Sequence, residues 1–493
     1  MSIPQYGWMF LLFKNIKSWA IALLPLVMLA SCATYNQQVQ GYYSSLREGD
    51  YTKAAKELDK SKLLKKNRNR LLYLLERGKV CHLMGQWDSS NTYFNEADLL
   101  METARTSAKD VALGNLLNPM MQTYKAEDFE KYLVHYYKAI NYLQLGETDD
   151  ALVEARRISL RTYAQEDKVG NKDKYKDDAF SLMVQGIIYE KGGDVNNAFI
   201  SYRNAANVFL DNQGKYYGID MPEQLKKDLL RTADQNGFMD ELGRYERLLN
   251  TTYQKEEKPA GGELILFWEN GSAPVKAQQD LWFSLFKDAG GAFFFTDANN
   301  SFTVPFDFSS GYSHDNIKLE DLRSFRVALP KYEAVAPAYT GAAALAGSQS
   351  FKLEPAEDVN NLAFATLKER MLKELSSTLT RLAIKKLAEA AIRPSDKKDN
   401  DKSKTEEQRK KEKKEEAARE AIALGLQIFN FASEKADTRN WQSLPHTIYY
   451  VRIPLQAGEN QINLQLSGRA SASVPVKVNG RGGMQVMTVN TIR

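Results

Sequence analysis

The sequence predicts an α+β protein in which an N-terminal all-α solenoid of helical repeats precedes a β-sheet or β-sandwich domain with an inserted helical hairpin. Two patterns lead to this prediction. From Gln38 to about Asn250, apolar residues recur at intervals of three and four and proline is nearly absent, as in amphipathic helices. Over residues 436–493, apolar and polar residues alternate, as in half-buried strands.

Length and composition limit the possible functions. A chain of 493 residues with 43% hydrophobic and 26% charged residues is long enough for two or three domains. The net charge of +4 is small, so no nucleic-acid partner is predicted. The four histidines lie far apart and fit no HxxxH or HxH spacing, so neither a metal nor a cofactor is predicted.

The N-terminus carries the features of an export signal. Lys14 and Lys17 precede an apolar run, Ala20 to Ala30, that is shorter than the about 20 residues a transmembrane helix needs. The run ends Leu-Ala-Ser-Cys at Cys32, which resembles the lipobox of bacterial lipoproteins. The resemblance implies that residues 1–31 are a signal peptide and that Cys32 carries diacylglycerol and fatty acids such as palmitate.

The residues after Cys32 bear on location. Ala33 resembles the outer-membrane class of lipoproteins, and no acidic cluster for surface export follows it. We therefore expect the chain to be anchored to the outer membrane on its periplasmic face. The sequence leaves open whether translation starts at Met1 or Met9. Cys81 is then the single thiol of the mature chain, and we expect it to be buried and inert.

Small and aromatic residues recur through residues 32–254 at the spacings of the tetratricopeptide repeat, which this region resembles. Good matches surround Gly78 to Ala97 and Ala139 to Ala155, and a weaker one surrounds Gly49 to Leu58. Longer loops or extra helices are predicted at 100–127 and 163–176. The clearest unit contains Gly186, Tyr189, Gly193, Ala198, Tyr202 and Ala205. Such repeats stack into a solenoid whose concave face usually binds a protein segment.

After a polar linker, residues 263–358 form the first part of the β-rich domain. The apolar run 264–268 predicts a buried strand, and 325–329 predicts another. Aromatic residues crowd 282–286 and 293–308. They form either core packing, which we favour, or an exposed docking patch.

Residues 359–435 predict the inserted hairpin, because two apolar helical patterns flank a charged tract at 396–416. That tract is either a solvated helix extension or a disordered loop. Residues 436–493 then predict a set of terminal antiparallel strands with turn signals at 457–460 and 479–480.

Three segments of the C-terminal half, 262–274, 325–332 and 437–458, resemble a poorly characterised family of envelope lipoproteins in diderm bacteria. With the repeats, the resemblance covers most of the mature chain. Members of that family are associated with lipoproteins that resemble activators of peptidoglycan synthases, so the resemblance implies a link to cell-wall synthesis.

Asp437, Arg439 and Trp441 are the candidate binding residues. An Arg–Asp pair beside a tryptophan could bind an anionic or sugar group; alternatively, the pair is buried and fixes the corner between helix and strand. No GxSxG, SxxK, HExxH or Walker-type motif is present, so no enzyme activity is predicted.

Together these features predict a lipid-anchored, non-catalytic scaffold or adaptor that binds a partner protein through its helical repeats. The alternative is an envelope lipoprotein that binds a glycan or peptidoglycan, and it depends on the aromatic segments and on Trp441.

Overall fold

The computed structural model describes residues 35–103, 118–166, 178–287, 290, 293–298, 302–306, 324–392 and 405–492. The predicted signal peptide and the lipidation of Cys32 lie outside these residues. So do much of the two predicted long loops and part of the charged tract.

Ten helices form the N-terminal part of the described chain, and short turns join most of them into pairs. Residues such as Asp50 and Asp194 cap helix N-termini by accepting a hydrogen bond from the backbone three residues on. The helices are α1 (Tyr35–Arg47), α2 (Tyr51–Lys60), α3 (Arg70–Leu83), α4 (Trp87–Thr103), α5 (Asp128–Leu145), α6 (Thr148–Glu166), α7 (Ala179–Lys191), α8 (Val195–Asp211), α9 (Glu223–Asn236) and α10 (Met239–Leu249). The two-residue strands β1 (Lys215–Tyr216) and β2 (Ile219–Asp220) form a small hairpin between α8 and α9.

Glycines let the two helices of a repeat cross closely. A Cβ atom on Gly186 of α7 would lie 2.4 Å from the ring of Tyr202 in α8, and one on Gly78 of α3 would lie 2.7 Å from the ring of Phe94 in α4. The hydroxyl of Ser90 also donates a 2.8 Å hydrogen bond to the carbonyl of Gly78. The pairs α3–α4 and α7–α8 therefore cross as in tetratricopeptide repeats, with an aromatic ring filling the space that each glycine leaves.

The two helices of a repeat differ in how many of their residues are buried. Eleven of the thirteen residues of α7 are buried, against seven of the seventeen of α8. The same contrast holds between α3 and α4. We call α3, α5 and α7 the inner helices and α4, α6 and α8 the outer helices.

The C-terminal half contains twelve strands in three four-stranded sheets within the described residues. They are β3 (Glu263–Asn270), β4 (Val275–Lys287), β5 (Phe293–Asp297), β6 (Thr303–Phe306), β7 (Ser324–Glu333), β8 (Tyr339–Ala346), β9 (Gln349–Lys352), β10 (Glu354–Asp358), β11 (Thr447–Pro454), β12 (Gly458–Gly468), β13 (Ala472–Gly480) and β14 (Met484–Thr491).

The first sheet has the order β10-β11-β3-β14 and packs against the second, β13-β12-β8-β9. Leu264, Leu266 and Trp268 of β3 face Ile462 and Leu464 of β12 in the core between them. The last strand differs from the predicted antiparallel set, because β14 pairs with β3 in parallel. Such pairing suits β3, whose residues 264–270 are all buried, since parallel strands favour sheets covered on both faces.

The third sheet has the order β6-β5-β4-β7 and packs one face against the long helix α11 (Val359–Ile392). Phe283 and Phe295 on that face are fully buried against Leu375 and Leu379 of α11. The aromatic-rich segments thus divide between core and surface, because Trp282 on the other face of β4 is 53% exposed.

Helix α12 (Glu406–Ser433) returns from α11 and completes the hairpin. Its first turn is fixed by a capping box between Thr405 and Gln408, so the described part of the charged tract is an exposed helix extension. Within the described residues, no helix combines the length and apolar character needed to cross a bilayer.

We predict that Gly186→Ala destabilises the protein by about 1–3 kcal/mol, because the added methyl group overlaps the Tyr202 ring. Gly243→Ala in α10 is the matched control. Its new Cβ would meet nothing closer than 3.5 Å, so helix propensity should stabilise that variant by about 0.5–1 kcal/mol. Chemical denaturation of both variants checks this. An equal change in the free energy of unfolding for both variants would show that the close crossing of α7 and α8 does not require a glycine at 186.

Candidate functional site

The face of the inner helices that a solenoid normally offers to a partner is covered here by the C-terminal half of the same chain. Lys79 of α3 forms an ion pair with Glu269 of β3, and both side chains are completely buried. Tyr136 and Tyr137 of α5 each donate a 3.1 Å hydrogen bond to a different carboxylate oxygen of Glu269. Burial lowers the pKa of Lys79, and the charge of Glu269 partly offsets this.

A segment without regular structure, residues 437–443, crosses the inner helices next to this ion pair. Trp441 is fully buried, and its ring centroid lies 5.8 Å from that of Phe94 and 5.9 Å from that of Tyr137. Its backbone N–H donates a 2.9 Å hydrogen bond to Glu130 of α5. The indole Nε1–H donates to Ser443 within the same segment at 2.9 Å.

The neighbouring carboxylates hold the same segment. The N–H of Gln442 donates a 3.1 Å hydrogen bond to Glu76 of α3, which also accepts from the hydroxyls of Tyr42 and Tyr43 at 2.7 and 2.6 Å. Burial raises the pKa of Glu76 above its usual value, although these hydrogen bonds offset part of the rise. Burial, together with the nearby charge of Glu127, raises the pKa of Glu130 to about 7.

Arg439 fixes the start of the segment. Its guanidinium donates to both carboxylate oxygens of Asp437, at 2.8 and 2.6 Å. It also donates to the side chain of Asn69 at 2.7 Å and to the carbonyl of Gln122 at 3.0 Å. Although burial raises it, the charge of Arg439 brings the pKa of Asp437 below its usual value.

The structure therefore brings the three predicted binding residues together, with Arg439 and Trp441 buried and the Asp437 side chain 29% exposed. Trp441 is 0% and Arg439 1% exposed, and the partners of both come from this chain. The Arg439–Asp437 pair fixes the corner between helix and strand, and the hydrogen bonds of its guanidinium go to groups of this chain.

A second ion-pair network joins the last repeats to the first sheet. Arg452 of β11 lies 2.9 Å from Glu190 of α7, 3.1 Å from Asp228 of α9 and 2.7 Å from Glu263 of β3. Arg231 adds a second cation 2.6 Å from Glu190. Burial raises the pKa of Glu190, but the two arginines outweigh it and hold that pKa at about 2.

The open edge of β14 is also covered by repeat side chains. Gln144 of α5 donates a 2.8 Å hydrogen bond to the carbonyl of Val486, and Lys191 of α7 donates one of 2.9 Å to the carbonyl of Met484. Edge strands expose unpaired backbone groups that promote association with other chains. Here the inner helices satisfy two of them.

On the opposite side of α5, one group of side chains has the composition of a metal site. Asp98, His135 and Glu154 bring ligand atoms within 4.8 Å of one another. Lys138, however, lies 3.0 Å from Asp98 and 2.9 Å from Glu154. Arg157 lies 2.6 Å from Asp98. Two cations already neutralise the carboxylates, so a divalent ion would have to displace Lys138.

A cleft of about 320 Å³ opens beside this cluster, between the outer helices α4 and α6. Its lining combines carboxylates with exposed aliphatic side chains: Leu99 is 58% and Val153 42% exposed. The charged lining residues are Asp98, Glu102, Asp150, Glu154 and Arg157.

Sequence reasoning missed the paired charges of the junction. Little signal was available, because Lys79 has the charged neighbours Glu76 and Arg77, and only Glu269 directly follows an apolar run, at 264–268. Such residues are rarely buried unless they are paired. The sequence does not indicate, however, which cation meets which carboxylate, because 190 residues separate the two.

No protein-family model matches the sequence, and no curated protein matches it significantly. Solved structures similar to part of the chain include the MamA protein, with TM-score 0.27 and 15% identity over 43% of this chain and 87% of that chain. The apo form of RapI has a TM-score of 0.31 and 14% identity over 47% of this chain and 57% of that chain. A putative kinesin light chain of Podosopora anserina with nearly identical TPR-like repeats has a TM-score of 0.30 and 12% identity over 44% of this chain and 92% of that chain. At such TM-scores, the assignment of repeats rests on the helix pairs of this chain itself.

We predict that Lys79→Met destabilises the protein by about 3–5 kcal/mol, because it leaves Glu269 buried without its cation. Adding Glu269→Gln should restore most of that loss, since the second change removes the unpaired charge. Denaturant unfolding of the single and double variants measures both effects.

The control for that experiment is Arg70→Met, which breaks an ion pair with Glu96 whose side chains are 41% and 46% exposed. Exposed pairs contribute about 0–1 kcal/mol. A Lys79→Met effect no larger than this control would contradict a buried, paired junction.

Proposed function

We propose that this chain is a lipid-anchored, non-catalytic scaffold of the bacterial cell envelope that binds a partner protein through its helical repeats. The expected location is the outer membrane on its periplasmic side, with the lipid on Cys32. The observation that carries the proposal is the buried junction. It joins the repeats to the C-terminal half through paired charges such as Lys79 with Glu269.

This junction determines which repeat surface remains for a partner. The inner helices are already covered, so the partner binds the outer helices. The cleft between α4 and α6 supports this choice, because Leu99 and Val153 stay exposed beside the carboxylates of Glu102 and Asp150. Leu160 of α6 is exposed as well. Exposed apolar side chains ringed by charge are typical of protein interfaces, and this cleft suits a segment with aliphatic and basic side chains.

The glycan-binding alternative loses its best support, since Trp441 is in the interior. It retains the exposed aromatic residues of the third sheet, Trp282 and Phe286.

We predict that Leu99→Asp combined with Val153→Asp abolishes capture of the partner, because charge replaces the apolar rim of the cleft. The partner is identified by crosslinking and affinity purification of the full-length protein from native membranes. The control is Met239→Asp with Leu248→Asp in α10, where the side chains are 55% and 52% exposed. Partner recovery that is equal for both double variants, or recovery of no defined partner, would contradict the proposal.

We predict that Cys32→Ser moves the protein from the membrane fraction to the soluble fraction, because the lipid is the proposed anchor. Mass spectrometry of the N-terminal peptide of the unaltered protein should find the acylated cysteine as its first residue. An N-terminal peptide in which Cys32 is unmodified would rule out the lipid anchor.

A further inference from the structure

The outer face of the third sheet ends in an exposed aromatic surface. Trp282 and Phe286 of β4 are 53% and 57% exposed. Phe286 pairs across the strands with Phe294 of β5, which pairs with Pro305 of β6. Residues two or four apart on a strand share a face, and so do direct cross-strand partners. We call these four residues the aromatic face.

The same side of the sheet is covered nearer its base. The backbone N–H of Ala436 donates a 3.1 Å hydrogen bond to the side chain of Gln278. Arg326, the cross-strand partner of Trp282, donates a 3.2 Å hydrogen bond to the carbonyl of Glu434. Since Gln278 and Trp282 are four residues apart, they lie on the same face. The chain after α12 therefore covers the base of this face and leaves its far end open.

The first described helix begins beside that base. The side chain of Asn36 donates a 3.0 Å hydrogen bond to the carbonyl of Lys276 in β4 and accepts one of 3.0 Å from Gln442. Cys32 precedes Asn36 by four residues, which reach at most about 14 Å. Trp282 follows Lys276 by six strand residues, or about 20 Å. The expected lipid attachment point and the aromatic face are thus held within a few tens of ångströms of each other.

We propose that the aromatic face lies on the surface of the bilayer to which Cys32 is tethered, with Trp282 and Phe286 in the headgroup region. The inference rests on the lipid anchor of the proposed function. Tryptophan favours the membrane–water interface, where its ring is apolar and its N–H is solvated. Two aromatic side chains bind a bilayer only weakly by themselves. The tether makes their contact intramolecular and therefore effective.

This contact sets the orientation of the scaffold. The opposite face of the sheet is closed by α11, through residues such as Leu375 and Leu379. With the aromatic face on the lipid, the third sheet becomes the membrane-proximal part of the molecule.

Tryptophan fluorescence tests the proposal, because Trp282 is the one exposed tryptophan of the described residues. Trp268 and Trp441 are fully buried and Trp87 is half-buried. The mature chain from Ala33 carries an N-terminal hexahistidine tag and is tethered to phosphatidylethanolamine–phosphatidylglycerol vesicles with a nickel-chelating lipid. Phospholipids brominated near the headgroup quench tryptophans that touch the bilayer.

We expect brominated vesicles to quench the tethered protein, and Trp282→Phe to lose most of that quenching. Phe286→Ser should reduce the quenching of Trp282, whereas the control Met239→Ser with Leu248→Ser should leave it unchanged. Circular dichroism confirms that each variant is folded. The nickel tether replaces the natural lipid, so the outcome does not depend on whether Cys32 is acylated.

Three results would overturn the proposal. One is the absence of quenching in the tethered protein, and another is quenching that persists in Trp282→Phe. The third concerns Phe286→Ser. This variant keeps full quenching, but it loses a self-association that the unaltered protein shows in sedimentation, or a co-pelleting that the unaltered protein shows with purified peptidoglycan. That result would assign the aromatic face to a second copy or to a glycan.

Discussion

The charges buried between the two halves of the chain meet in pairs, and this pairing fixes how the halves lie against each other. A lysine and a glutamate without solvent each cost several kcal/mol to bury unless they meet a partner of opposite charge. Lys79 and Glu269 meet only when the first sheet lies against α3 and α5. Arg452 imposes the same condition at the far end of the repeats, where its guanidinium contacts Glu190 and Asp228. The relative position of the halves is therefore fixed at two points, and the segment around Trp441 fills the space near the first.

This arrangement changes how the helical repeats can work. The face that isolated solenoids offer to a partner is occupied here by residues 437–443 and the first sheet. In the part of the chain that the structure describes, we assign the proposed contacts to the cleft between the outer helices α4 and α6 and to the aromatic face of the third sheet. The chain enters its first helix beside the base of that sheet, so a lipid on Cys32 would lie closer to the third sheet than its place in the sequence suggests. The proposed partner site and the proposed membrane contact then use different parts of the molecule.

Much of the fold follows from local patterns. The glycine and aromatic spacing of residues 182–209 predicts the close crossing of α7 and α8, since Gly186 and Tyr202 meet within one repeat. Alternation in β4 predicts that Trp282 and Phe283 point to opposite faces of the sheet. It does not reveal which face is covered, because the helix that covers Phe283 lies about 90 residues later. The parallel partner of β3 and the partner of Lys79 are equally remote in sequence. The candidate site was identified by residue type at Asp437, Arg439 and Trp441, but their burial depends on helices more than 300 residues earlier.

Hydrogen exchange of the backbone amides in residues 437–443 measures whether this segment is buried against the inner helices. This segment forms neither helix nor strand, and an unoccupied solenoid would leave its amides open to water. In the structure, the N–H groups of Trp441 and Gln442 donate to the buried carboxylates of Glu130 and Glu76. Because these hydrogen bonds are buried, we expect the two amides to exchange as slowly as those of the buried strand β3. Exchange as fast as in an unstructured loop, with β3 still protected, would contradict this burial.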